Sequence, residues 1–103
     1  MSGKPVVFHE EAAAEYEAAA DWYFQRSPLA ASKFSAEVSI AIETIAKAPH
    51  RWQVSGHGAR KFVLHRFPFS IIYRELPSSV QVLAVAHRRR RPDYWKSRLR
   101  DQL

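Results

Sequence analysis

The stretch Val80 to Trp95, read as V-Q-V-L-A-V-A-H-R-R-R-R-P-D-Y-W, constrains the fold more than any other part of the chain. It opens as a strand in which Val80, Val82, Ala84 and Ala86 alternate with Gln81, Leu83, Val85 and His87. Because Leu83 and Val85 are apolar too, both faces of its middle are predicted to be covered, as in a central strand. The strand runs directly into Arg88, Arg89, Arg90 and Arg91, and Pro92 closes the basic run. Four adjacent like charges repel one another, so an anionic partner is expected for them. A solvated basic loop after a core strand is the plainer reading of the same residues.

The residues before this stretch supply the layers that cover it. Pro5 to His9 is short and β-branched and reads as a first strand, with Pro5 at its start where no ladder donor is needed. Glu10 and Glu11 open a helix at the end where acids oppose the dipole. Ala12, Tyr16, Ala19 and Tyr23 recur at helical spacing, and Pro28 predicts a stop near Arg26. Ser27 as N-cap and Pro28 in the first turn restart a helix. Its stripe is Ala30, Phe34, Val38, Ala41 and Ile45, and it ends near Ala48. Two helices with almost no loop between them predict an antiparallel hairpin. Pro49 to Ala59 reads as a loop pinned by Trp52. Arg60 to Phe67, Phe69 to Leu76 and Val80 to His87 read as three strands on short turns, hence antiparallel. Phe69, Ile71 and Tyr73 fall on one face of the second of these, with Ser70, Ile72 and Arg74 on the other. The order β-α-α-β-β-β predicts an α+β fold, a helical hairpin on one face of a mostly antiparallel twisted sheet, followed by a basic tail. Val38, Ile45, Ile71, Leu83 and Val85 are expected in the core between hairpin and sheet. At 103 residues, the chain reads as one domain, 1–103.

Charge is unevenly distributed. Of the 16 Lys and Arg and 10 Asp and Glu, residues 1–50 carry a net of −3 and residues 51–103 a net of +9. A domain polarised in this way presents a cationic face to nucleic acid or to an acidic protein segment. There is no cysteine, which excludes disulfides and thiolate metal sites and is compatible with a reducing cytosol. His50 and His57 lack convergent ligands at a defined spacing, so no metal and no cofactor is expected. The first residues show no signal-peptide pattern and no stretch reaches membrane-spanning length, so a cytoplasmic location and no membrane partner are expected.

A-V-A-H-R-R-R-R-P-D-Y-W, together with F-P-F-S-I-I-Y-R from Phe67 to Arg74, resembles the RelE/ParE superfamily of small bacterial toxins. These are the toxin halves of type II toxin–antitoxin systems, including plasmid-stabilisation modules. The resemblance covers nearly the whole chain. It implies the same fold with one sheet face partly open, and growth inhibition relieved by a cognate antitoxin that wraps the domain. Arg74, Arg88, Arg89, Arg90, Arg91 and Trp95 are then the expected partner-binding residues.

Two mechanisms follow from the resemblance. The RNA-cleaving branch cuts messenger RNA on the ribosome without a metal. A base takes the 2′-hydroxyl proton, cations stabilise the phosphorane and an acid protonates the leaving oxygen. Arg89, Lys61, His87 and Tyr94 are the candidates for such a set, with His65 a further acid or base. The chain departs from that branch at Val63 and Ser70, where cations are expected, and Trp95 has no hydroxyl. The ParE branch shares the fold, lacks the cleavage set and poisons DNA gyrase by binding it, and the departures favour this branch. A nucleic-acid-binding module outside any toxin system is a third reading compatible with the charge.

Overall fold

The computed structural model describes residues 3–101. Strand β1 (Val6–Phe8) is followed by helices α1 (Glu10–Arg26) and α2 (Pro28–Lys47) and then by strands β2 (Gln53–Gly56), β3 (Ala59–Val63), β4 (Phe69–Glu75) and β5 (Val80–His87). They form one sheet in the order β1-β5-β4-β3-β2, antiparallel except for the β1–β5 pair. The β-α-α-β-β-β succession holds, with β2 added after the helices. No helix among the described residues is long and apolar enough to cross a membrane.

Local chemistry sets the helix boundaries. The His9 side chain accepts from the Glu11 N–H at 3.0 Å and caps α1. Ser27 serves both helices: its N–H donates to the Tyr23 carbonyl at 2.8 Å, closing α1, and its Oγ accepts from the Ala30 N–H at 3.2 Å, opening α2. The hairpin lays Ala12, Ala19, Phe34, Val38, Ala41 and Ile45 on one face of the sheet against Ile71, Tyr73, Val80, Val82 and Val85. Phe34 stacks with Tyr16 and meets Tyr23, Phe67 and Phe69 at centroid distances of 5.2–5.7 Å.

Three expectations require correction. The segment 49–59 is a short 3-10 turn (Pro49–Arg51) and the outer strand β2, hairpinned to β3 through Gly56, His57 and Gly58, all at positive φ. Positive φ suits the two glycines. Few apolar residues alternate in Gln53–Gly56, so its pairing with β3 left no period to read. Strand β3 ends at Val63 rather than Phe67, and Glu37 of α2 takes the next free backbone donors, the N–H groups of His65 and Arg66. The alternation along β5 is broken by a bulge. Tyr73 pairs with Val82 and Ile72 with Ala84, leaving Leu83 without a cross-strand partner. Val80, Val82 and Val85 therefore share the helix side. Leu83, Ala84 and Ala86 face the other side, where Leu83 packs with Ala59, Ile72 and Trp95 in a second core. Leu83 is fully buried as expected, under the tail rather than the hairpin.

Candidate functional site

The second core is roofed by the tail. Residues 88–101 turn back across the sheet and end in a 3-10 segment, Lys96–Arg100. The turn is fixed by the Arg88 N–H on the Pro68 carbonyl at 2.8 Å, the Arg90 N–H on the His87 carbonyl at 2.9 Å, and the Arg89 N–H on His87 Nδ1 at 3.1 Å. Asp93 then adopts φ 62°, a left-handed conformation that Asp tolerates. Trp95 and Arg98 are delivered to the sheet, 3% and 6% exposed.

Arg98 and Glu15 lock the tail where β5 lies beyond the reach of the short β1. Glu15 Oε1 accepts from the Val85 N–H at 2.9 Å and from Arg98 Nη1 at 3.0 Å. Its Oε2 accepts from Arg98 Nη2 at 2.9 Å and from the Tyr94 hydroxyl at 2.8 Å. Arg98 Nη1 also donates to the Leu83 carbonyl at 2.8 Å. A salt bridge thus satisfies backbone groups at the bulge and just past it, which β1 does not reach. Arg74 holds the end of the tail, donating to Gln81 Oε1 at 2.8 Å and to the Leu99 and Asp101 carbonyls at 3.1 and 3.2 Å. Asp101 accepts from His9 Nε2 at 2.6 Å. Because His9 Nδ1 caps the helix as an acceptor, the proton lies on Nε2.

The tail leaves part of this face uncovered. A cleft of about 180 Å³ has Lys61, Ser70, Ile72 and Ala86 on the sheet side, Arg88, Arg90, Arg91, Tyr94 and Trp95 around it, and Ser55 of β2 at one edge. Of the sequence-predicted catalytic residues, Lys61, His87 and Tyr94 line this cleft. Arg89 does not, being exposed on the turn, and Arg88, Arg90 and Arg91 take the place expected of it. His87 stands at the strand end with its ring against Phe69, centroids 5.1 Å apart, bordering a hollow formed by α1 residues Trp22 and Tyr23. His65 lies beyond the end of β3, beside a groove lined by Glu37 and Ile40. The Tyr94 hydroxyl is held by Glu15, and burial, first, and that bond, second, push its ionisation well above the usual phenol range. Arg90 lies over its ring at 3.7 Å.

Two residues expected on the partner-binding surface are engaged within the molecule instead. Trp95 is core, and Arg74 is bound to the tail's own carbonyls. An indole after a charged run reads as an exposed anchor until the sheet beneath it is known to be apolar. Glu15 and Arg98 escaped sequence reasoning altogether. The available signal was an acid three residues after Ala12 and four before Ala19, on the buried side of α1, which requires a cationic or donor partner.

The comparisons agree with this architecture. The family model described as ParE toxin of type II toxin-antitoxin system, parDE, matches residues 6–92. Among solved structures, the chromosomal ParDE toxin–antitoxin system from P. aeruginosa contains a chain with the same fold. The TM-score is 0.72 at 22% sequence identity, over 82% of this chain and 95% of that one. No curated protein matches the chain. The resemblance carried by the strand, the arginine run and Phe67–Arg74 is borne out at the level of the superfamily. With a match running from the first strand through the arginine run to Pro92, the chain belongs to the ParE toxin family of type II toxin–antitoxin systems.

Proposed function

We propose that this toxin arrests growth by binding DNA gyrase and that a cognate antitoxin neutralises it in the cytoplasm. The observation that carries the reading is the state of the open sheet face. RNA cleavage needs cations beside the scissile phosphate together with a free acid and a free base. Here Ser70 and Val63 are neutral, the Tyr94 hydroxyl is committed to Glu15 and held protonated, and His87, at the cleft wall, has its ring against Phe69 and Nδ1 taken by the Arg89 N–H. A surface of this kind suits binding, where a few anchors dominate and the rest exclude water.

For the antitoxin, a groove between α2 and β3, lined by Ile40, Ala41, Phe62 and Val63 and about 450 Å³ in volume, offers apolar contact beside Lys33 and Arg66. An acidic antitoxin segment would complement it and continue toward the +9 half of the chain. Plasmid stabilisation is the role such a pair would serve. The alternative, cleavage of ribosome-bound message, is favoured by one observation, the convergence of Lys61 with Arg88, Arg90 and Arg91 in a single cleft.

Induced expression with separate readouts distinguishes the two. Gyrase binding predicts broken DNA with intact transcripts, and graded relief of arrest in Arg89→Ala, Arg90→Ala and Tyr94→Ala. Cut transcripts with intact DNA, abolished by a single cleft substitution such as Lys61→Ala, would overturn the reading.

A further inference from the structure

The cleft beside the tail contains cations without counter-ions. Lys61, Arg88 and Arg91 line it, and none of them has a carboxylate within salt-bridge distance among the described residues. Arg90, at the same cleft, is engaged by the Tyr94 ring and reaches Glu15 only at 3.8 Å. Ser55 and Ser70 add two hydroxyl donors. The one acid in the lining, Asp93, faces His57 at 3.6 Å. Uncompensated like charges this close repel, and the fold holds them together through backbone bonds of the turn and the Glu15–Arg98 lock rather than through any attraction among them.

We propose that this cleft is a phosphodiester-binding subsite, through which the toxin itself grips the backbone of DNA without cutting it. Guanidinium forks, an ammonium and two hydroxyls around about 180 Å³ match one tetrahedral anion. Arg89, Lys96 and Arg100 lie exposed along the same tail, where neighbouring phosphates of a polyanion would follow. An isolated carboxylate on a protein partner uses the first feature but not the second. Cleavage is absent from the proposal because DNA has no 2′-hydroxyl to attack the phosphate and the Tyr94 hydroxyl is held by Glu15, which leaves His87, at the cleft wall with Nδ1 taken by the Arg89 N–H, without Tyr94 as a partner in proton transfer. Part of the wall, Asp93 to Trp95, lies after Pro92, outside the segment that the family model matches. The inference does not depend on which enzyme the toxin inhibits.

The test is fluorescence anisotropy of the purified full-length toxin with a labelled DNA duplex, the same sequence as single-stranded RNA, and a polyglutamate competitor, at several salt concentrations. DNA binding is expected to weaken steeply from about 50 to 200 mM salt. Lys61→Ala with Arg88→Ala and Arg91→Ala should lower affinity by at least about tenfold and flatten the log–log salt slope by about 1–2. Removing three cations away from the cleft, Lys33→Ala, Lys47→Ala and Arg26→Ala, should do much less. The cleft side chains are exposed or half-buried, so circular dichroism should show the fold retained. An equal loss from the control triple, displacement by polyglutamate as effective as by unlabelled DNA, a clear preference for RNA, or cutting of the RNA would each overturn the proposal.

Discussion

Glu15 carries more of the architecture than its place in the alanine-rich first helix suggests. Its carboxylate meets Arg98, the Tyr94 hydroxyl and the Val85 N–H, with only 16% of its side chain exposed and 7% of Arg98's. Removing one member of a buried pair leaves the other charge uncompensated, at a cost of about 3–5 kcal/mol. Glu15→Ala is therefore expected to lower the urea-unfolding free energy by about that amount, and a double-mutant cycle with Arg98→Ala should show strong coupling. A loss under about 1 kcal/mol would mean that the tail does not depend on this lock. Tyr73 makes a second prediction at this scale. Its ring is fully buried, its hydroxyl donates to the Pro49 carbonyl at 2.6 Å, and burial pushes its ionisation up to about 12. In the unfolded chain the phenol ionises near pH 10, so between about pH 10 and 12 the folded state holds the extra proton and stability falls as pH rises. Tyr73→Phe should be less stable at neutral pH, by about 1–3 kcal/mol for the orphaned carbonyl, yet decline less steeply in alkali. Equal alkaline slopes would contradict the assignment.

At the scale of elements, what could be read in advance followed periodicity and punctuation. Ser27-Pro28 marks the junction of the two helices, and the stripe Phe34, Val38, Ala41 and Ile45 is buried as the spacing requires. The faces of β4 were equally legible, since Ile71 and Tyr73 join the helix-side core and Ile72 the other. Two kinds of feature were not. The β5 bulge inserts one residue into a run apolar at every nearby position, so neither side of the slip shows a polarity change. The tail's docking depends on contacts with Glu15 and Arg74, roughly eighty and twenty-five positions away, and no local pattern encodes them. For the same reason the arginine run was legible as a basic edge, while its division into cleft residues and the outward Arg89 was not. Core substitutions should respect the two layers. Ile45→Ala on the helix side and Leu83→Ala beneath the tail each remove a fully buried side chain, at about 2–5 kcal/mol. Leu83→Ala should additionally expose Trp95, read as a red shift in its fluorescence, and Ile45→Ala should not. The same shift in both variants would argue against two separate cores.

Over the whole molecule, the hairpin side holds most of the acids and the sheet and tail hold most of the cations, and the two meet at Glu15. This polarity gives the toxin two faces: an apolar groove at α2 and β3, the proposed seat of an antitoxin segment, and a basic open face, the proposed surface for its target. The ParE fold is common to both, and function is decided by the side chains that the fold presents. On the open face those side chains supply positive charge around the His87 ring, with the Tyr94 hydroxyl held by Glu15. The most direct test uses purified components: gyrase with plasmid DNA, and in parallel a ribosome-bound message, each titrated with the toxin. The account predicts that gyrase loses activity and accumulates cleaved plasmid while the message stays whole. Cleavage of the message at codon boundaries, with gyrase unaffected at the same toxin concentration, would contradict it.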